Sequence, residues 1–519
     1  MKKPPKIEIN DEEAKALLDR VKSTVSPEDY KIIAGMTDTL ILLNQAVTIK
    51  NMSIKRLLQM FFGSKTEKTK KTQKKKRSEG AKKKKKSNGR NGADAYTGAN
   101  KEKIDHSKLK HCDPCPDCED GKLYRQLTPG VIVRIIGSAP LQATVYELEK
   151  LRCNICGNVF TADLPSRAGV KKYAATAAAM LAVLRYGSGL PLNRIAKLQA
   201  GMGIPIAPST QWDVTEDLAN KIHPAFTELI KYGAQGDVVH NDDSPMKVQD
   251  LIAENLDKDN PPARKGIFTT GILSIVDDQK IALFFTGRKH AGENMAKLLL
   301  KRQNSLEPPI QMCDALSRNF SENFKTILAN CLTHGRRNFV NVAEDFPDEC
   351  QYVLDTIGEV YHHNDITKKE GMTPGQRLQF HQENSASLME ELHVWLKKQF
   401  DDKKVEPNSS LGQAINYMLK HWQELTLFLR VEKAPLDNNI CERALKMAIL
   451  HRKNSLFYKT EHGANVGDLF MSLIHTCNLS KINPLDYLTE LQKNTSSVFK
   501  NPRQWLPWNY QQNLVASVI

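Results

Sequence analysis

The order of strand-like and helical runs after Gly236 is the feature that most limits the folds open to this chain. Runs rich in β-branched and aromatic residues are typical of strands, and apolar residues every three or four positions are typical of helices. Strand-like runs occupy 237–241, 267–276 and 280–286, followed by helix 292–302, strand 309–313, helix 318–328 and strand 330–333. This order predicts a mixed β-sheet flanked by helices.

At 519 residues the chain is too long for one hydrophobic core, and its composition changes several times. We therefore predict a multidomain protein of α/β and α parts, in which a helical insertion interrupts the mixed-sheet core. The predicted segments are a helical or coiled-coil segment (1–63), a polybasic linker (64–105), a cysteine-rich module (106–165), a helical domain (166–235), the first part of the core (236–345), the insertion (346–430), the second part of the core (431–493) and a tail (494–519).

Apolar residues near the start of the chain recur every seven positions, at Ile33, Leu40, Val47, Ile54 and Phe61. This spacing predicts a short coiled coil, and a helix packed on its own domain explains it equally well. The start of the chain has no apolar run after its first charges, so we expect no secretory signal and a cytoplasmic protein.

The linker carries most of the positive charge of the chain. Between residues 65 and 90 there are fourteen Lys or Arg and two Glu, which is twelve of the fifteen net charges. Such a run predicts a disordered segment whose lysines, including Lys82, Lys83 and Lys84, neutralise phosphates without a fixed fold. No acylation signal or apolar helix accompanies the run, so we expect nucleic acid as the partner and no membrane.

Two Cys-x-x-Cys pairs, Cys115 with Cys118 and Cys153 with Cys156, have the spacing of a zinc ribbon. Each pair turns tightly enough to place two thiolates on one tetrahedral ion, so the sequence predicts about one structural Zn²⁺ per chain. Cys112 has the spacing to replace Cys115 as a ligand. Free thiols or a redox pair are the alternative.

The segment at 171–232 reads as several helices. Gly201 and Gly203 end one helix, and Pro208 begins the next. Two helices joined by a short glycine-containing turn permit a DNA-binding helix-turn-helix. An ordinary antiparallel helical pair fits the same pattern.

Three acidic residues lie where a metal site could form. Asp242 closes the first predicted strand and Asp314 closes the fourth, so the two would converge if these strands are neighbours. The pair Asp437-Asn438 predicts a helix start that places Glu442 in the first turns. Three carboxylates favour Mg²⁺ or Mn²⁺ over Zn²⁺. The chain has 59 acidic residues, however, so a turn residue, a strand-end cap and a helix-dipole partner explain them too.

Basic residues follow these acids. Arg443, Arg452 and Lys453 lie close to Glu442 in sequence and are candidates for phosphate contacts. Arg336 and Arg337, at another predicted helix start, could contact the DNA backbone. Solvated surface arginines explain this last pair nearly as well.

Cys331 and His334 have the spacing of half a metal site. No second half lies nearby in the sequence, so we expect a structural or phosphate-facing role for them.

Taken together, these motifs resemble those of transposases of insertion sequence family sixty-six, and the resemblance runs over nearly the whole chain. The matching stretches are 57–68 (LLQMFFGSKTEK), the two cysteine pairs, 185–194 (RYGSGLPLNR), 240–248, 287–293 (GRKHAGE), 331–339 (CLTHGRRNF), 436–443, 452–457, Gly463 and 506–509.

The resemblance implies a ribonuclease-H-like catalytic core with an Asp-Asp-Glu triad at Asp242, Asp314 and Glu442. It implies Mg²⁺ or Mn²⁺ at the triad, Zn²⁺ in the cysteine module and double-stranded DNA as the substrate. The implied reaction is cleavage at transposon ends to leave a 3′-hydroxyl, which then attacks a target phosphodiester.

The chain departs from the family pattern at three points. Asp243 stands where Glu is usual, Ser244 where Thr is usual, and Ala315-Leu316 replaces a usual Gly-Tyr after the second Asp. Serine keeps the hydroxyl group. The loss of Gly-Tyr could alter the backbone beside Asp314 and reduce activity.

Two other functions stay open from the sequence. One is a DNA-binding protein that derives from a transposase and has lost catalysis, and the other is a nuclease on the same fold that does not transfer strands. Transposition needs two DNA ends held together, so a homodimer or higher oligomer is expected. Accessory proteins from the same element and association with the nucleoid are further expectations.

Overall fold

The computed structural model describes residues 137–152, 158–169, 171–257, 259, 261–320 and 324–516, with isolated residues between 20 and 34 and between 110 and 124. The chain divides into two units, Met1–Arg134 and Ile135–Ile519. The four cysteines of the predicted zinc ribbon, Lys82, Lys83 and Lys84, and nearly all of the predicted coiled coil lie outside the described residues. These expectations therefore stay predictions.

The second unit begins with a small hairpin and three helices. Strands β1 (Lys150–Arg152) and β2 (Val159–Thr161) pair antiparallel. The next elements are α1 (Ala175–Ala182), a π-helical turn (Val183–Gly187), α2 (Leu192–Gly201) and α3 (Pro208–Gly233). Gly203 has a φ of 76°, and Pro208 occupies the first turn of α3. Helix α2 therefore ends, and α3 begins, where the sequence predicts. A helix-turn-helix function for α2 and α3 stays a prediction.

A five-stranded mixed sheet follows, as the sequence predicts. Its elements are β3 (Val238–Pro245), α4 (Gln249–Glu254), β4 (Phe268–Val276), β5 (Gln279–Gly287), α5 (Ala291–Leu299), β6 (Ile310–Cys313) and β7 (Ile327–Asn330). The strand order is β5-β4-β3-β6-β7. The first three strands are antiparallel, β6 lies parallel to β3, and β7 lies parallel to β6. The first and fourth strands of the predicted core are thus neighbours.

Two details of the predicted strands are wrong. The first strand continues past Asn241 to Pro245, because β4 pairs with it as far as Phe268. Asp242 therefore lies within the strand and not beyond its end. The last strand occupies Ile327–Asn330, earlier than predicted, since Leu332 already begins the next helix.

The predicted helix at 318–328 is also wrong. A 3₁₀ turn, Ser317–Asn319, stands at its start, and β7 begins at Ile327. Asn319 is fully buried, and its backbone oxygen accepts from the side chains of Asn241 and Gln311. Pairing of Ile327–Asn330 with β6 buries Ala329 and Asn330, and this tertiary contact overrides the local helical pattern.

Helices make up the rest of the unit. They are α6 (Leu332–Val342), α7 (Pro347–Lys369), α8 (Pro374–Asn384), α9 (Ala386–Asp401), α10 (Ser410–Lys420), α11 (Trp422–Leu425), α12 (Asn439–Ser455), α13 (Glu461–Leu479), α14 (Pro484–Lys493), α15 (Thr495–Lys500) and α16 (Tyr510–Ala516). Helices α6, α7, α9, α10 and α11 share one hydrophobic core with β6 and β7, whereas α3, α13 and α14 share another with β4 and β5. None of the described helices combines the length and apolar character needed to cross a membrane.

Helix α13 lies along the edge strand β5 and supplies hydrogen-bond acceptors to it. Three side chains spaced four residues apart on one face of α13 accept from alternate backbone N–H groups of β5. The pairs are Thr286 N with Asp468 Oδ2 (2.6 Å), Phe284 N with Ser472 Oγ (3.0 Å) and Ala282 N with Thr476 Oγ1 (3.1 Å). The helix thereby satisfies edge groups that would otherwise face solvent or another strand.

Candidate active site

The parallel pairing of β3 with β6 brings the first two predicted acids to the same end of the sheet. His240 pairs with Met312 across these strands. Asp242 lies two residues after His240, and Asp314 lies two residues after Met312. Both acids are partly buried. Side chains at this end of two parallel neighbours can reach the same space.

A layer of buried amides holds Asp314 in place. The side chain of Asn319 donates to Asp314 Oδ1, and Leu316 N donates to the same oxygen at 3.3 Å. Asn319 is positioned in turn, because its backbone oxygen accepts from Asn241 Nδ2 at 2.8 Å and from Gln311 Nε2 at 2.7 Å. The backbone beside Asp314 is therefore supported although Ala315-Leu316 replaces the usual Gly-Tyr.

Helix α12 carries the third acid to the same region. Glu442 lies in its first turn, as the sequence predicts, and α12 packs across β3 and β4. Gly271 pairs with Asp242 and makes this close approach possible, since a Cβ at that position would lie 2.9 Å from Leu445 Cγ. Cys441 Sγ, next to Glu442, donates to Gly271 O at 3.3 Å.

Asn438, the residue that precedes α12, binds the sheet and not the helix. A side-chain cap was expected from the Asp-Asn pair, but Asn438 makes no side-chain hydrogen bond to α12. Its Nδ2 donates to Asn241 O at 3.1 Å, and His240 Nδ1–H donates to its Oδ1 at 3.1 Å. Burial lowers the pKa of His240 to about 4, so the imidazole is neutral. Asn438 thus fixes the start of α12 against β3.

The pKa of Asp242 reflects the neighbouring acids. Burial, which is the largest cause, and the negative charges of Asp314, Asp243 and Glu442 together raise this pKa to about 7. A hydrogen bond from Asp243 N, at 2.8 Å, partly opposes this rise. The carboxylates interact as like charges within one cluster.

The donor set fits a divalent cation. Glu442 Oε1 is buried and has no hydrogen-bond partner among the described residues. A buried oxygen of this kind is free to bind a cation. Three carboxylates offer the hard oxygen donors that Mg²⁺ and Mn²⁺ prefer. A bound cation would also remove the repulsion that raises the pKa of Asp242.

Asp243 has a different environment from Asp242, and its partners were not anticipated from the sequence. Its side chain is fully buried. His290 Nδ1 lies 3.0 Å from Asp243 Oδ2, and Arg318 lies 3.5 Å from Oδ1. Arg318 remains 45% exposed, so Asp243 holds a guanidinium at the rim of the acidic cluster. In the sequence, only the GRKHAGE stretch, which contains His290, had pointed to a role for one of these partners of Asp243.

Cys331 and His334 also lie beside the cluster. Cys331 precedes α6, and its Sγ accepts from Asn438 N at 3.3 Å. Burial raises the pKa of this thiol to about 11. His334 Nε2 lies 3.8 Å from Glu442 Oε1. Glu442, which is remote from this pair in the sequence, therefore lies beside it in the structure.

The basic residues predicted to contact DNA differ in their surroundings. Arg452 NH1 donates to Ser244 Oγ at 3.2 Å and to Pro245 O, so it joins α12 to the end of β3. Arg443 and Lys453 are exposed on α12, and Arg337 is exposed on α6. Arg336 is partly buried on α6. The structure brings Arg452 to the strand that bears Asp242.

Comparison with known proteins identifies the family of this chain. The uncharacterized protein y4jD of Sinorhizobium fredii is 28% identical over 386 residues, covering 70% of this chain and 71% of its own length. A second uncharacterized protein of that organism, y4hP, is 23% identical over 393 residues, covering 72% of this chain and 68% of its own. The family model described as Transposase IS66 family matches residues 172–466, which is more than half of the chain and includes all three acids. The chain therefore belongs to the IS66 family of transposases.

Proposed function

We propose that this protein is a DDE transposase that cleaves DNA at transposon ends and transfers the cut strand into target DNA, with Asp242, Asp314 and Glu442 as metal ligands. The observation that carries the proposal is the placement of the three acids: Asp242 and Asp314 follow paired positions of the parallel strands β3 and β6, and α12, which bears Glu442, packs on β3. Family membership supports a role in transposition. The reaction itself is our inference from the acidic cluster.

The residues of the chain would act by positioning and by charge. A pair of divalent ions, when bound, supplies activation of the attacking oxygen and stabilisation of the leaving one. The three carboxylates hold the ions, and Asn319 and Asn438 keep Asp314 and the start of α12 in register with β3. Arg318, Arg443 and Lys453 would contact the phosphates that flank the scissile bond.

The other parts of the chain would bind and assemble DNA. We propose that Lys82, Lys83 and Lys84 contact phosphates along the duplex, and that Arg336 and Arg337 contact backbone near α6. Cys115, Cys118, Cys153 and Cys156 would hold one structural Zn²⁺. A homodimer or higher oligomer in the cytoplasm would bring two element ends together near the nucleoid, with accessory proteins from the same element as further partners.

Substitution of the acids tests the catalytic part. Asp242→Asn, Asp314→Asn and Glu442→Gln should each abolish cleavage of a labelled element-end duplex in Mg²⁺ or Mn²⁺, while binding of that duplex stays measurable. Asp250→Asn, at an exposed acid in the first turn of α4, is the matched control and should cleave like the unaltered protein. Undiminished cleavage by any of the three variants removes that residue from the triad.

The same assay separates the proposed function from its two alternatives. Joined products support a transposase, and cleavage without joining supports a nuclease on this fold. Binding without cleavage, in both metals and with intact flanking DNA, supports a protein that has lost catalysis.

A further inference from the structure

Cys331, His334 and Glu442 form a cluster of three different ligand types beside the acidic cluster. One ligand atom from each, a thiol sulfur, an imidazole nitrogen and a carboxylate oxygen, lies within 4.8 Å of the other two. Cys331 and His334 come from the start of α6, and Glu442 comes from α12. Two separate elements therefore converge on one point.

The spacing of these atoms suits a tetrahedral ion. Bonds to Zn²⁺ of about 2.3 Å from sulfur and about 2.0–2.2 Å from nitrogen and oxygen separate neighbouring ligand atoms by roughly 3.3–3.6 Å. His334 Nε2 and Glu442 Oε1 are already 3.8 Å apart. To reach the spacing of ligand atoms on a bound ion, each side chain has to move by about 1 Å or less, which small changes of its torsion angles allow.

The surroundings of the ligands also favour a bound ion. Glu442 Oε1 is a buried acceptor without a hydrogen-bond partner among the described residues. The Cys331 sulfur already accepts a backbone N–H from Asn438, as metal-bound thiolates commonly do. His334 and Glu442 keep about a quarter of their side-chain surface exposed, which gives an ion a path to the buried sulfur.

We propose that Cys331, His334 and Glu442 bind a thiophilic divalent ion of the Zn²⁺ class, at a site distinct from the all-oxygen site with which it shares Glu442. Binding forms a metal–thiolate bond and releases the proton of Cys331 to solvent. Water completes the coordination sphere. Sulfur and nitrogen ligands select this class of ion against Mg²⁺.

Occupancy of this site has a consequence that rests on the proposed function. An ion on Oε1 draws the Glu442 carboxylate toward Cys331 and so removes a ligand from the three-carboxylate site. Zn²⁺ should therefore inhibit Mg²⁺-dependent cleavage, and the Cys331→Ser variant should resist that inhibition.

Cobalt binding tests the site without reference to activity. Metal-free full-length protein is titrated with Co²⁺ in the absence of Mg²⁺, so that the predicted ribbon contributes the same cobalt signal in every variant. Thiolate ligation is read from the sulfur-to-cobalt charge-transfer band, and tetrahedral geometry from the visible bands. The variants are Cys331→Ser and His334→Gln. The control is Cys350→Ser, since Cys350 is an equally buried thiol of the same hydrophobic core.

We expect one more bound Co²⁺ per chain in the unaltered protein and in Cys350→Ser than in Cys331→Ser, and a weaker thiolate band in Cys331→Ser alone. His334→Gln, at a partly exposed position that folding tolerates, should weaken Co²⁺ binding by at least about tenfold. The same cobalt spectrum in Cys331→Ser and the unaltered protein overturns the proposal, as does unchanged affinity in His334→Gln. If the protein cleaves no DNA under any condition, the proposed function fails, and the cobalt spectrum still decides the metal site.

Discussion

Asn438→Ala should destabilise the protein strongly, because this amide joins α12 to the sheet. Asn438 is fully buried. The substitution removes two hydrogen bonds of 3.1 Å, one from His240 Nδ1–H and one to Asn241 O. Both partner residues are buried as well, so neither gains a hydrogen bond to bulk water.

The magnitude follows from the groups left without partners. A buried polar group that loses its partner costs about 1–3 kcal/mol, so two such groups give about 2–4 kcal/mol when the backbone oxygen keeps part of its bonding. In a unit of this size that corresponds to a fall in Tm on the order of 5 °C. Because Glu442 lies one turn beyond Asn438, cleavage activity should fall together with stability.

Thermal unfolding followed by tryptophan fluorescence measures this effect. Asn439→Ala is the matched control, since Asn439 is the adjacent residue and its backbone N–H makes the hydrogen bond to Asp437. The control should unfold within about 1 °C of the unaltered protein. If Asn438→Ala and Asn439→Ala unfold at the same temperature, Asn438 does not fix α12 to β3 and the reasoning is wrong.

Three other predictions concern the same region. Gly271→Ala should lower stability by about 1–3 kcal/mol, because its Cβ would meet Leu445 Cγ at 2.9 Å. The same substitution should cost less when it is made in a Leu445→Ala background. Denaturant titration measures both effects, and an unchanged midpoint for Gly271→Ala contradicts the prediction. In buffer without divalent ions, the stability of Asp242→Asn relative to the unaltered protein should rise from about pH 4 to about pH 7 and stay constant above that. The sign follows from the pKa of Asp242, which folding raises from 3.8 to about 7. Between these values the folded state keeps the proton that the unfolded state loses, so the stability from this group is fully present below pH 3.8 and is lost as pH rises to 7. Adding Mg²⁺ at about 100 times its Kd should stabilise the unaltered protein by about 2.7 kcal/mol and leave Asp242→Asn nearly unchanged, and an equal rise of Tm in both would show that the ion binds elsewhere.

The sequence predicts the succession of strands along the chain well, because each strand-like run is a local pattern. It also predicts Glu442 in the first turn of α12. That the first and fourth strands are neighbours was a condition for Asp242 and Asp314 to converge, and the structure meets it. The end of β3 could not be predicted, since the strand continues to Pro245 only because it pairs with β4 there. The 3₁₀ turn at Ser317–Asn319 was missed for a similar reason, because Asn319 accepts a hydrogen bond from Asn241, which lies on a strand far away in the sequence.

The details of the candidate site depend on contacts between distant residues. Asn438 and His240 are 198 positions apart, so the Asp-Asn pair indicated a helix start but not the partner of its side chain. The spacing of Cys331 and His334 was that of half a metal site, but the sequence favoured a structural or phosphate-facing role for them. The position of the start of α12 beside Cys331 was needed to show Glu442 next to the pair. Short-range patterns predict helices and strands, whereas packing between residues that are distant in the sequence decides which side chains meet.

The contact of α13 with β5 limits how this protein can associate with copies of itself. An uncovered strand edge is a template on which another chain can add a strand, and it is a common start of aggregation. In the part of the chain that the structure describes, alternate N–H groups of β5 are already bound to Asp468, Ser472 and Thr476. An assembly that joins two protein copies on DNA must therefore use surfaces other than this strand, so sheet growth across subunits is blocked at β5.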